Sequence, residues 1–259
     1  MTIFKPAILA ALLALPSFAN AGSSAAQNPI LPVAQVTSFA DTVQTYLADK
    51  GARVAIVSRM GRDPAVLPDG ITYTHVAFWV FSKITLADGS TGQGYRVYNL
   101  YQLSDDPSRS ALVQDSPADF FAGAVHLDAG IIVPKPALQQ KLMRVINGPT
   151  YASLHNARYS VLANPRTTQF QNCTEHTVDV LMAALYDTHD PARIKANIAA
   201  HFTPQPIRVG GVKRALAVMA SPAMTTADHG AQVDTATFGA IRRFMDQYGL
   251  TQHARRITP

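Results

Sequence analysis

Cysteine is almost missing from this chain of 259 residues: Cys173 stands alone, so no internal disulfide can form and stability must come from an ordinary core. Charge is sparse too, at 15% of residues, with 22 Lys and Arg against 17 Asp and Glu. The basic surplus is scattered, and the pairs Arg242-Arg243 and Arg255-Arg256 read as solvated faces. No basic-aromatic motif is present, so nucleic acid is not an expected partner, although a pI of about 9.4 suits anionic cell-wall polymer or lipid headgroups. Long apolar runs are lacking as well: none reaches the roughly 18 residues that span a bilayer, and no transmembrane segment is expected. No Gly-rich loop follows a strand, and no His-Glu-x-x-His or paired-cysteine motif occurs, so no cofactor or metal is expected. A metal group of His126, Asp128, Asp228 and His229 is conceivable, but no ligand spacing supports it.

What is present begins with a leader. Residues 1–21 carry one charge, Lys5, then an apolar stretch from Ala7 to Leu15, then Ala19-Asn20-Ala21. This reads as a secretory signal with a small-x-small cleavage site, giving a periplasmic or secreted protein that starts at Gly22. Residues 22–35, rich in Ser, Ala, Gln and Pro, read as a mobile leader. Residues 36–259, in a chain with 47% apolar content, can bury one substantial core, so a single domain with a helical C-terminal elaboration is expected.

Hydrophobic periodicity predicts a helix from about Ser38 to Lys50, then a short strand from Arg53 to Arg59. Tyr73 to Phe81 is apolar on both faces and predicts an interior strand, joined through a turn at Ala87 to Gly92 to a strand from Tyr95 to Gln102. Ser104 to Ala118, full of Asp, Ser and Pro, reads as a surface loop. Further on come a strand from Val125 to Val133 and a helix from Pro134 to Ile146. A short extended stretch from Arg158 to Leu162 and a loop at Asn164 to Thr168 follow, then a helix opening at Cys173 and running to about Leu185. Helices from Pro191 to Phe202 and from Thr235 to Tyr248 finish the chain, with Pro204 to Met219 unassigned between them.

Cys173 lies where a turn-rich segment meets an apolar-periodic run, at a helix N-terminus. Asn172 and Glu175, three apart, form a capping pair around it, and His176 reads as solvent-facing. Backbone dipoles and unpaired N–H groups at a first turn favour a thiolate and later an oxyanion, so Cys173 is a candidate nucleophile with a lowered pKa. The competing reading is a small buried side chain at a capped helix start.

A cysteine nucleophile needs a base and a group to orient it. His75 is the polar intruder in the strongest strand, Tyr73-Thr74-His75-Val76-Ala77-Phe78-Trp79, and Asn99 is the intruder in the returning one. Asn99 is placed to accept from one imidazole nitrogen and leave the other for the thiol. Asp128 stands as the substitute orienter. The Cys173 N–H is one candidate oxyanion donor, with Gln171 or Tyr159 as a second. Asp228 and His229 read as a cap or tether for the final helix.

The order of a histidine strand, a polar-residue strand and then a cysteine at a helix start resembles the circularly permuted papain-like hydrolases related to NlpC-type cell-wall peptidases and lecithin:retinol acyltransferase. Thr74-His75-Val76-Ala77 and Asn172-Cys173-Thr174-Glu175-His176 carry that resemblance. The third position in that group is often His or Glu. Asn99 departs from this and is similar instead to the Asn that orients His in papain-type sites. Most of the mature chain also resembles an uncharacterised family of secreted bacterial proteins, through Ser58 to Gly61, Tyr73 to Val76, Ala163 to Pro165, Gln171 to Glu175, and Asp228-His229.

The resemblance implies an α+β permuted papain-like fold, a small antiparallel sheet packed against the cysteine-bearing helix, with extra C-terminal helices. It also implies the Cys173/His75 pair. The expected activity is a secreted cysteine hydrolase or acyltransferase cutting an amide or ester through a thioester, with peptidoglycan peptide or lipid acyl groups as substrates. The alternative is a non-catalytic envelope protein that keeps the fold for binding or assembly.

Overall fold

A computed structural model describes residues 24–25, 29–85, 88–208 and 221–259. The expected signal peptide, and most of the stretch from Pro204 to Met219, lie outside the described residues. The central element is β1 (Val54–Met60), which runs antiparallel to β2 (His75–Thr85) on one side and to β5 (His126–Pro134) on the other. Beyond β2 come β3 (Thr91–Gln102) and β4 (Ser110–Asp115), and beyond β5 comes β8 (Thr251–Ile257). The result is a six-stranded sheet of order β4-β3-β2-β1-β5-β8, antiparallel throughout.

Strand alternation divides the core into two layers. Ala55, Val57, Ala77, Trp79, Val97 and Ile131 face α1 (Val33–Asp49) and the short α2 (Pro117–Ala122). Val54, Ile56, Val76, Phe78 and Ile132 face the opposite layer, built from α3 (Pro136–Asn147), α4 (Pro149–Ser153), α5 (Cys173–Tyr186), α6 (Pro191–His201) and α7 (Phe238–Gln247). A small ribbon of β6 (Gln205–Ile207) and β7 (Val233–Thr235) lies apart from the main sheet. The class is α+β, and β2 is an interior strand.

Three expectations are corrected. The stretch read as a surface loop holds β4 and the start of α2, where Ser116 and Asp119 close a capping box that opens the helix at Pro117. The C-terminus adds the edge strand β8 where no strand was expected. Helix α5 has no solvent side: every residue from Cys173 to Ala184 is buried, His176 included, at 2% exposure.

One irregularity shapes the site. The β2–β3 register runs from Phe78–Tyr98 to Thr85–Thr91, whereas His75, Val76 and Ala77 pair with β1 alone. The two interior strands part at that end.

Candidate functional site

The first turn of α5 meets β2 at this parting. Asn172 adopts an extended backbone, and its Oδ1 accepts from the Glu175 N–H at 2.8 Å, which caps the helix and fixes Cys173 as its first residue. Glu175 does not reach back to complete the expected pair. Its Oε1 takes Lys195 Nζ at 2.7 Å instead. Cys173 Sγ donates to the Thr74 carbonyl at 3.9 Å and is faced by the N–H groups of Val76 and Thr174 and by its own. The thiol therefore lies on the backbone that flanks His75. Leu100, Tyr159 and Ala223 cover it.

His75 points to the other layer. Its Nε2 is 2.9 Å from Asn99 Oδ1, and Asn99 Nδ2 donates to Asp115 Oδ2 at 3.1 Å. An ionised carboxylate only accepts, so the Asn99 amide must turn its NH2 toward Asp115 and its oxygen toward His75. The imidazole then carries its proton on Nε2 and keeps Nδ1 as an acceptor. Among the described residues Nδ1 has no hydrogen-bond partner. The ring stacks on Tyr101 with centroids 4.9 Å apart and leans on Phe120 of α2 at 5.5 Å.

Charge in this pocket comes from Arg59, the cross-strand partner of His75. It is fully buried, and its guanidinium donates to the carbonyls of Phe120 and Ser24. Tyr101 Oη faces Arg59 and Asp115 without reaching hydrogen-bond geometry with either. Burial, and then the Arg59 charge, hold His75 well below its usual range, so the imidazole is neutral. Burial also pushes the Cys173 thiol up to about 11, outweighing the N–H groups and Arg59 that favour the thiolate. The lowered thiol pKa expected of a helix N-terminus is thus overturned, because desolvation is the larger effect here.

The remaining sequence candidates fall into place elsewhere. Asp128 does not orient His75: it accepts from Tyr73 Oη at 2.8 Å and from both Nε and Nη2 of Arg256. Gln171 has no donor left for an oxyanion, because its NH2 serves the Leu154 carbonyl and Asp179 while its oxygen takes the Asn156 N–H. Tyr159 does pack against Cys173. His176 sits edge-on to Tyr151 rather than in solvent, and burial pushes its pKa down to about 3.

Asp228 and His229 clamp a loop and not a helix. Asp228 Oδ2 accepts from the Asn164 N–H at 2.8 Å, and His229 Nε2 meets the Leu162 carbonyl at 2.6 Å. With His126 on β5 and Asp128 held by Arg256, the four candidate metal ligands are not assembled. Among the described residues no three His, Cys, Asp or Glu side chains form a metal-binding group. No helix among the described residues is long and apolar enough to cross a membrane.

Sequence reasoning missed Asp115 and Arg59. Asp115 was hidden in a stretch whose composition reads as a loop. Arg59 left a signal of the same kind as His75, a charged side chain inside the apolar strand Val54–Met60.

Fold and site together define an α+β domain in which a buried cysteine at a helix start touches the backbone of a sheet strand, and the neutral histidine of that strand is held in the other layer by an asparagine–aspartate pair. Residues 46–245 match the model of a family described as an uncharacterized protein conserved in bacteria, DUF2145, and the chain belongs to that family. No curated protein and no solved structure matches it, so no relationship to papain-like hydrolases comes from these comparisons.

Proposed function

We propose that this protein is a cysteine-dependent hydrolase or acyltransferase of the bacterial cell envelope, with a permuted papain-like site in which Cys173 is the nucleophile, His75 the base and Asn99 its orienting group. One observation carries the reading. The Asp115–Asn99–His75 chain fixes the imidazole with Nδ1 unprotonated and, among the described residues, without a partner, and the Thr74 carbonyl next to His75 accepts from Cys173, the only thiol in the chain.

The proposed reaction requires the imidazole and the thiol, which lie in different layers beside the Thr74–Val76 backbone, to come within reach of each other. His75 Nδ1 then takes the thiol proton as sulfur attacks the carbonyl carbon, and the Cys173 N–H supports the oxyanion. The C–S bond forms, and the C–N or C–O bond of the substrate breaks. The leaving amine or alcohol departs with the proton from His75. Water, or an acceptor alcohol or amine, then gives its proton to Nδ1, attacks the thioester and releases the acyl group. The proton returns to sulfur. Peptidoglycan peptides and lipid acyl groups are the substrates that such an enzyme meets in an envelope.

The test is turnover of muropeptides and of short acyl esters by the mature protein, with mass spectrometry for an acyl group on Cys173. Cys173→Ser is expected to abolish both signals while the protein stays folded. A second reading, a non-catalytic binding or assembly protein, draws on the burial of the thiol and its raised pKa. It becomes the better account if no substrate acylates Cys173 in the folded protein.

A further inference from the structure

Arg59 is the feature that the proposed reaction leaves unexplained. Among the described residues no carboxylate lies within ion-pair distance of it, yet its side chain is completely buried. Its terminal nitrogens are spent on the Phe120 and Ser24 carbonyls, and its Nε has no partner among the described residues. The guanidinium carbon lies 5.5 Å from the Tyr101 ring centroid and 5.3 Å from that of Phe120. Gly123 is what makes room, since a Cβ there would come within 2.5 Å of the guanidinium. A fold does not normally bury an ion in this way without a counter-charge.

The groups that bear on this pocket come from six elements: Arg59 on β1, His75 on β2, Tyr101 on β3, Asp115 on β4, Asp119 behind it on α2, and Cys173 on α5. Asp115 is already tied to Asn99. Cys173 is the remaining group that gains a negative charge during the proposed chemistry. The Thr74 backbone joins the two, because its N–H bonds the Arg59 carbonyl at 3.2 Å while its own carbonyl takes the thiol.

Resting on the reading of Cys173 as nucleophile, we infer that Arg59 is a positioning residue that sets the charge of the site: the thiolate is paired with this guanidinium, and not with an imidazolium on His75. The Arg59 charge disfavours a second positive charge on His75, so a proton taken from sulfur is handed quickly to the leaving group. In the absence of substrate the thiol proton goes to solvent, sulfur keeps the electron pair, and His75 stays neutral.

The experiment is iodoacetamide alkylation of Cys173 against pH in the full mature protein, with folding followed by circular dichroism. Wild type is expected to show one alkaline ionisation and no plateau of reactivity at acid pH. Arg59→Met should slow labelling at pH 8 by tenfold or more, Arg59→Lys should restore most of the rate, and His75→Ala should leave the midpoint in place. The reverse pattern, a midpoint that moves with His75→Ala and ignores both Arg59 variants, overturns the inference.

Should Arg59→Met fail to fold, an NMR titration of His75 in wild type decides the matter. A neutral ring throughout pH 5 to 8 supports the assignment, and a midpoint near the ordinary value of about 6.5 overturns it. Failure of the hydrolase reading looks different: no acylation of Cys173 by any substrate, with the alkylation profile still set by Arg59.

Discussion

Asp115 accepts from the side-chain amide of Asn99 at 3.1 Å, and this bond selects the atom that Asn99 shows to His75. Without it the amide is free to turn over and present NH2 to the ring, which moves the imidazole proton from Nε2 to Nδ1. Asp115→Ala is therefore expected to convert a single Nε2–H tautomer into a mixture, read by nitrogen NMR of His75. Asn99→Ala removes the acceptor altogether and leaves a buried N–H unpaired, at a cost of about 1–3 kcal/mol in denaturant unfolding. An unchanged tautomer in Asp115→Ala would remove the main support for the orienting role.

Stability should fall toward both ends of the pH scale, and the signs follow from burial. His176 is pushed down to about 3 and His75 is also depressed, while both take a proton near pH 6.5 in the unfolded chain. Below about pH 6.5 the unfolded state binds more protons, so stability drops as the pH falls toward the folded value. Cys173 has the opposite sign. Its folded thiol at about 11 lies above the roughly 8.5 of a free thiol, so across that window the folded state holds more protons and stability drops as pH rises. Urea unfolding from pH 4 to 10 should show both limbs. His176→Phe should flatten the acid one and Cys173→Ala the alkaline one, and unchanged limbs would contradict the assignments.

Lys195 should be indispensable to the join between α5 and α6. Its Nζ lies 2.7 Å from Glu175 Oε1 and 2.7 Å from Asp179 Oδ1, and both carboxylates are buried. Lys195→Met strands two acidic groups beside each other, with an expected loss of about 3–5 kcal/mol. Adding Glu175→Gln and Asp179→Asn to that variant should recover much of the loss, because the stranded charges are then gone. Additive losses across the three substitutions would mean that the cluster acts through packing rather than charge.

The parts legible in the sequence are those where one residue broke a strong local pattern. His75 and Asn99 each interrupt an apolar strand, and Asn172 marks a helix start that the structure places at the next residue. Illegible parts lacked such a pattern. Strand β8 buries Ile257 and leaves all its other side chains partly or fully exposed, so its edge position gives no alternation to read. In the Asp/Ser/Pro stretch before α2, the Ser116–Asp119 capping signal was outweighed by composition, and Asp115 was lost with the strand that carries it. His176 was misplaced for a third reason. A polar residue beside Glu175 implies a wet helix face only when the helix has one, and α5 is enclosed on every side.

That enclosure has a dynamic consequence. A helix wrapped by the sheet on one side and by α3 and α6 on others has no low-energy way to open by itself, so its amides should exchange with solvent only when the whole domain unfolds. The sulfur at its first turn is thereby an immobile reference point. Whatever reaches Cys173 must do so by displacing Leu100, Tyr159 or the short turn that holds Ala223, and the rate of access becomes a property of those neighbours, not of the helix that bears the thiol.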